Sequence, residues 1–255
     1  MKNKGVKNDL WNGFLLAMYR LGNSLKGLKS TRELKNKLSD DNIRVGVEGD
    51  LKWIKDGGDT RFYLNHGIYV PGTTNDLIKD GKELAIAERN GKVLSLEQAL
   101  NESPDLFYLL HVKRGVGESV GDAMYKAAQQ FENKGLGNDY SVFSNSISAA
   151  VEVKKAVPNA SVGSIHRFNS RGRVTQFPDS DVLTTISKYG FLPRVEEIPL
   201  DYVITPETDS ISHGDVPYIA HRVKSKKDLT RALDGQARGA FVYASPEKVL
   251  EFLEN

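Results

Sequence analysis

Short apolar runs alternate along this chain with stretches in which apolar side chains recur every three or four residues, the first a strand signal and the second an amphipathic-helix signal. "FLLAMYR" (14–20) reads as a strand and "STRELKNKL" (30–38) as a helix, with Ser30 and Glu33 in capping-box spacing. "IRVGVEGD" (43–50) and "RFYLNH" (61–66) read as strands joined across the turn-rich "KDGGD", which predicts a hairpin. The alternation then continues through "SLEQALNE" (helix), "LFYLLHVK" (106–113, strand), "SVGDAMYKAAQQFEN" (119–133, helix), "YSVFSN" (140–145, strand) and "SISAAVEVKKAV" (helix). "SVGSIHRF" (161–168), "LDYVIT" (200–205), "VPYIAHRV" (216–223) and "GAFVYAS" (239–245) read as strands. The helices among them are "DSDVLTTISKYG", "SKKDLTRALDG" and "SPEKVLEFLEN", the last with Ser245 as N-cap and Pro246 at its first position.

Leaving the hairpin aside, about eight strand and helix units follow one another, the count of a closed (β/α)8 TIM barrel. The expected fold is therefore α/β: a TIM barrel with a small hairpin insertion after the second strand, forming a single domain over residues 1–255. An open doubly wound sheet is the alternative. It usually carries a glycine-rich phosphate turn after its first strand, and "YRLGNSLKG" lacks the G-x-G-x-x-G spacing.

Composition narrows the function more than the fold. With 255 residues, 39% hydrophobic and 27% charged, the chain has the make-up of a soluble globular protein. Lys and Arg total 35 against 33 Asp and Glu, and a net charge of +2 gives no electrostatic footprint for nucleic acid. The absence of cysteine rules out disulfides and thiolate metal sites. "GFLLAM" is too short for a transmembrane segment and lacks a signal-peptide cleavage pattern, so a cytoplasmic location is the expectation.

Alternation along the second strand turns Ile43, Val45 and Val47 toward the outer helices and Gly46, Glu48 and Asp50 toward the barrel interior. Two carboxylates then converge at the C-terminal mouth, where barrel enzymes build their sites, and hard oxygen donors on one face suit Mg²⁺ or Ca²⁺. The plainer account is a solvated Asp50 and a Glu48 paired with a neighbouring cation. Four of the five histidines, His66, His111, His166 and His221, fall near predicted strand ends, and His213 lies in a loop. By parity His111 and Lys113 share a strand face, so a neutral His111 could complete a three-donor metal set with Glu48 and Asp50. Arg20, at the end of the first strand, could clamp a phosphate and Lys113 could add charge, although a surface salt bridge is the plainer account of either cation.

In their order and spacing, "AMYRLG", "VEGD", "KDGG" and "LNHG" resemble the glycerophosphodiester phosphodiesterase family of phospholipase C-like barrels. That family opens on a strand ending His-Arg-Gly, followed by Glu-x-Asp, a "DG" turn and a His-Asp pair. "GKVLSLEQALNESPDLFYLLHVK" resembles its leucine-rich helix and following strand, and "YIAHRVKSKKDLTRALDGQARGAFVYASPEKVLEFL" its closing strands and helix. The resemblance covers most of the chain. It implies a divalent metal on Glu48 and Asp50, a phosphate contact at Arg20, an acid or base at His66, and a phosphate or transition-state contact at Lys113. The chain departs from the family at Tyr19, which stands where the first histidine is expected, at His111 in place of a third carboxylate, and at Gly67 in place of the aspartate after the second histidine. His221 stands near where many members carry a tryptophan. His166 and His221, leaning over the mouth from their own strands, are candidates to contact the substrate or to replace the missing histidine.

Two functions follow from the resemblance. One is a metal-dependent phosphodiester hydrolase acting on a small phosphodiester substrate such as a glycerophosphodiester, with Tyr19 among its proton-handling groups. The other is a catalytically weakened barrel that binds a phosphorylated ligand or a protein partner.

Overall fold

The computed structural model describes residues 13–38, 40–56, 58–65, 87, 90, 93–112, 115, 117–145, 147–165, 167–168, 174–176, 200–205 and 217–253. Its strands are β1 (Phe14–Met18), β2 (Ile43–Asp56), β3 (Asp59–Leu64), β4 (Leu94–Ser95), β5 (Phe107–Val112), β6 (Tyr140–Ser144) and β7 (Ser161–Ile165). They continue with β8 (Arg167–Phe168), β9 (Val174–Gln176), β10 (Tyr202–Thr205), β11 (Tyr218–Val223) and β12 (Gly239–Val242). The helices are α1 (Leu25–Lys37), α2 (Leu96–Glu102), α3 (Val120–Asn133), α4 (Ile147–Ala156), α5 (Lys226–Asp234) and α6 (Pro246–Leu253).

Eight parallel strands close into a barrel in the order β1-β2-β5-β6-β7-β10-β11-β12, with β12 pairing back onto β1. The expected closed barrel is thus observed, and the open sheet is excluded by the closing pair. β2 outruns the barrel and folds over against β3 in an antiparallel hairpin from Leu51↔Leu64 to Asp56↔Asp59. The anticipated insertion is therefore a continuation of the second strand itself. Glu118 ties it down, accepting from Thr60 Oγ1 and pairing with Lys126 of α3 and with Lys55.

Alternation decides which side chains fill the barrel. Leu15, Ala17, Phe107, Leu109, Phe143, Tyr202, Ile204, Ile219 and Phe241 form the interior cluster. Their neighbours along the strands, among them Val47, Tyr108, Leu110, Val142 and Val162, pack outward with Leu100, Met124, Ala127 and Phe131 of the helices. At the N-terminal end Arg44 lies 4.4 Å from the Phe107 ring centroid and pairs with Asp139 at 2.6 Å, closing the bottom of the barrel.

Helix starts repeat one device. Ser24, Ser95, Ser119 and Ser225 each precede a helix and accept from an amide in its first turn. The start expected at Ser30 is corrected accordingly: Ser30 lies inside α1, its hydroxyl bonded back to the Lys26 carbonyl. Gly27 in the first turn, which packs against the Leu21 backbone where a Cβ would not fit, conceals that turn from a propensity reading. The first strand also ends early, at Met18, leaving Tyr19 and Arg20 in a turn. The helix expected at "DSDVLTTISKYG" lies outside the described residues.

Tyr202 is fully buried in the interior, its hydroxyl donating to the Val142 carbonyl at 2.8 Å and lying 2.8 Å from Ser141 Oγ. Its ring occupies the space where Gly163 on β7 lacks a side chain: a Cβ there would stand 2.3 Å from the ring. Gly163→Ala is expected to destabilise the protein by about 1–3 kcal/mol through overpacking, read by urea unfolding. An unchanged midpoint would show that the ring has room to move.

Candidate active site

Five adjacent strands, β11, β12, β1, β2 and β5, carry the candidate chemistry at their C-terminal ends. Glu48 and Asp50 project inward from β2 and are 1% and 0% exposed; His111 on β5 is 7% exposed. Parallel pairing puts Asp50 beside His111 and Glu48 beside Leu109, so an apolar floor lies one layer below the polar group. His111 Nδ1 is 3.3 Å from Asp50 Oδ1 and 3.7 Å from Glu48 Oε1. Phe143 stacks on the imidazole at 4.4 Å and fixes the ring plane.

The outer oxygens of both carboxylates are held from the β1 side. Glu48 Oε2 accepts from the backbone N–H of Arg20 at 2.8 Å, and Asp50 Oδ2 accepts from Asn23 Nδ2 at 2.9 Å. Asn23 Oδ1 in turn accepts from the Asp50 backbone N–H at 2.8 Å. Two local features make this possible. Arg20 adopts a left-handed backbone, φ 60, which aims its N–H at the carboxylate. Gly22 lets the single 3-10 turn Leu21–Asn23 lie against β2, where an added Cβ would come within 2.7 Å of the Glu48 carbonyl.

One donor atom from each of Glu48, Asp50 and His111 lies within 4.8 Å of the others, so the three could hold a metal ion. The donor set fits a hard divalent cation, since each carboxylate keeps one oxygen turned inward while its second is engaged elsewhere. Two oxygens suit Mg²⁺, Ca²⁺ or Mn²⁺, and the imidazole nitrogen favours the transition-metal end of that range.

Beside this triad stands an aromatic wall. Tyr19 stacks on Tyr243 with centroids 3.8 Å apart, and His221 meets both rings edge-on. Tyr243 Oη lies 2.7 Å from His221 Nε2. Burial, assisted by the positive charge of Arg222 and by His111, pulls the His221 imidazole down to about 4. Burial pushes the Tyr243 phenol up, and the adjacent Tyr19 phenol and the Glu48 carboxylate push it the same way. Both partners are therefore neutral near pH 7. The Arg20 guanidinium lies 4.7 Å from the Tyr19 centroid.

The fold is that of the glycerophosphodiester phosphodiesterases. A glycerophosphodiester phosphodiesterase from Parabacteroides distasonis superposes with a TM-score of 0.61 at 12% identity, over 95% of this chain and 98% of the other. An Oleispira antarctica phosphodiesterase, solved in complex with the product sn-glycerol-3-phosphate, gives a TM-score of 0.59 at 13% identity over 95% and 97%. No protein-family model and no curated protein matches the sequence.

Of the residues singled out from the sequence, Glu48, Asp50, His111, Tyr19, Arg20 and His221 come together at the mouth. His66, Lys113 and His166 lie outside the described residues. Asn23, Tyr243 and Arg222 were missed, although each follows or ends a barrel strand and so falls at the catalytic face by position. Trp53, three residues after Asp50, is buried on the opposite strand face, its Nε1–H donating to the Glu118 carbonyl. No described helix is long and apolar enough to cross a membrane.

Asn23→Ala removes the group that orients Asp50 and is expected to weaken Mn²⁺ binding by about 10- to 100-fold, measured by electron paramagnetic resonance of the free ion; equal affinity would take Asn23 out of the site. The His221 value also sets a pH dependence. Between the ordinary value of 6.5 and about 4, the unfolded chain binds a proton that the folded imidazole refuses, so stability falls as the pH drops through that window. The wild type should lose about 3 kcal/mol more than His221→Gln across it in urea unfolding, for a depression from 6.5 to about 4. Parallel curves would show that His221 titrates normally.

Proposed function

We propose that this chain is a metal-dependent phosphodiester hydrolase acting on a glycerophosphodiester or a similar small diester. The observation that carries the reading is the convergence of Glu48, Asp50 and His111 at the C-terminal mouth of a barrel that shares its fold with such enzymes. A divalent cation on these three residues would polarise a phosphoryl oxygen and stabilise the negative charge that builds on it during displacement. Arg20, whose backbone N–H bonds Glu48, would take a second non-bridging oxygen with its planar fork.

In the displacement a bond forms between phosphorus and the attacking oxygen, the bond from phosphorus to the alcohol oxygen breaks, and the alcohol leaves with a proton. His66 as acid or base and Lys113 as a phosphate contact enter through the family resemblance. His166 enters as a substrate contact from its predicted place at a strand end. Tyr19 donates a hydrogen bond or a proton on the alcohol side. His221 and Tyr243, neutral and bonded to each other, fit substrate contact better than proton transfer, because an efficient acid or base has a pKa near the working pH.

That same neutrality supports a second reading, a barrel that binds a phosphorylated ligand without turning it over. Turnover separates the two. With Mg²⁺, Ca²⁺ or Mn²⁺ the purified protein should release sn-glycerol-3-phosphate from sn-glycero-3-phosphocholine, EDTA should stop the reaction, and Glu48→Ala should reduce it at least about 10³-fold. Absence of turnover with every metal, together with binding of sn-glycerol-3-phosphate, would favour the binding barrel.

A further inference from the structure

Three non-glycine residues among those described have a left-handed backbone: Arg20 (φ 60), Arg222 (φ 66) and Gln236 (φ 60). Gln236 needs no special account, since it lies just past the end of α5, where the chain reverses with its N–H on the Leu233 carbonyl. The two arginines are different. Neither follows a helix: Arg20 lies in the turn after β1 and Arg222 in a bulge of β11, and each comes directly after an aromatic side chain of the wall, Tyr19 or His221.

Arg222 owes its place to a bulge in β11. Ala220 pairs with Ala240 and Val223 with Val242, so three steps on β11 match two on β12 and one residue is extra. The side chain is exposed, and its guanidinium has no hydrogen bond or ion pair among the described residues. Its charge nonetheless acts on both His221 and Tyr243, which face the interior of the mouth. One face of Tyr19 is covered by Tyr243 at 3.8 Å, so the Arg20 guanidinium, 4.7 Å from the same centroid, occupies the other side. Around the barrel β11, β12 and β1 are consecutive, so Arg222, Tyr243, and Tyr19 with Arg20 follow one another along the rim, and the strand that carries Tyr243 separates the two arginines.

We propose that Arg222 is a second anion-binding point, separate from Arg20, and that the site takes a phosphodiester whose alcohol portion carries its own anionic group, such as a carboxylate. The inference rests on the phosphodiester reading: the diester phosphate sits between the Glu48, Asp50 and His111 group and Arg20. The alcohol portion then crosses the Tyr19–Tyr243 wall, and its anion meets the Arg222 fork. A neutral His221–Tyr243 pair serves this arrangement, because it lines the path with hydrogen-bonding groups without adding a charge.

The test uses two non-hydrolysable methylenephosphonate analogues of a glycerol diester, matched in shape, one ending in a carboxylate and the other in a hydroxymethyl group. Their affinities are measured by calorimetry in Ca²⁺ with the full chain, Arg222→Asn, Arg222→Gly and Arg20→Asn. Asparagine and glycine both accept the left-handed backbone, so the charge is removed without adding strain. The wild type is expected to bind the carboxylate analogue about tenfold more tightly than its neutral match, as one charge-assisted fork contact implies. Both Arg222 variants should abolish that preference without lowering the unfolding midpoint, whereas Arg20→Asn should weaken both analogues alike. Equal affinities in the wild type, a preference that survives in the Arg222 variants, or no binding of either analogue would each overturn the proposal. The hydrolase reading fails separately, by absence of turnover, and a carboxylate preference lost in both Arg222 variants would leave the second anion point standing even then.

Discussion

Two carboxylates on one strand, two residues apart and both out of contact with solvent, are the constraint around which the mouth of this barrel is built. Removing a carboxylate from water costs several kcal/mol unless hydrogen bonds and opposite charge replace the lost hydration. Here the replacement comes from neighbouring strands. The Arg20 N–H and the Asn23 amide hold the outer oxygens, and His111 on the other side faces the inner ones. Each of these partners depends on an unusual local structure: the left-handed Arg20, the 3-10 turn that Gly22 permits, and the β2–β5 register that sets His111 opposite Asp50. A structure that needed only a stable core would place valine or leucine at 48 and 50 and require none of them.

The parts of this arrangement that follow from periodicity were legible in the sequence. Alternation along "IRVGVEGD" turns Glu48 and Asp50 inward, alternation along "LFYLLHVK" turns His111 inward, and the succession of strands and helices gives a closed barrel. What escaped the sequence is what breaks periodicity. The bulge that re-aims Arg222 inserts a residue into a run that reads as plain alternation, and the turn at Arg20 puts a non-glycine residue where backbone preference argues against it. Asn23 and Tyr243 were missed for another reason. Neither belongs to a motif, and only three-dimensional closure, which sets β12 and β11 beside β1, brings Tyr243 against Tyr19 and His221. The roles read for His66, Lys113 and His166 rest on residues outside those described.

The aromatic wall changes how the departure at Tyr19 is understood. A histidine lost from an acid-base pair invites a search for a second histidine to replace it, and His221 stands close enough to qualify, its ring 6.2 Å from that of Tyr19. Its environment works against that role. An imidazole held near 4 is unprotonated at neutral pH and too weak a base to draw a proton from water or an alcohol, and its partner phenol is pushed in the direction that keeps its own proton. His221 and Tyr243, with the Tyr19 ring stacked on Tyr243, form a surface of hydrogen-bonding edges and apolar faces, and the two shifted groups suit orienting an alcohol group more than exchanging protons with it.

Backbone strain marks the same region. A left-handed non-glycine residue costs about 1–2 kcal/mol, and glycine at either position would remove that cost. Arg20 and Arg222 carry it at two points on the rim, on strands separated by the one that carries Tyr243, while Gln236 carries it at an ordinary helix end. At Arg20 the strained conformation has a visible return, since it delivers the N–H that the buried Glu48 requires. At Arg222 the described structure contains no such internal return: the bulge, the strain and the exposed guanidinium satisfy no hydrogen bond or ion pair among these residues. On the proposal made for Arg222 the return lies in binding: a guanidinium beside the His221–Tyr243 pair, on the same rim as the candidate metal donors Glu48, Asp50 and His111, would select for negative charge.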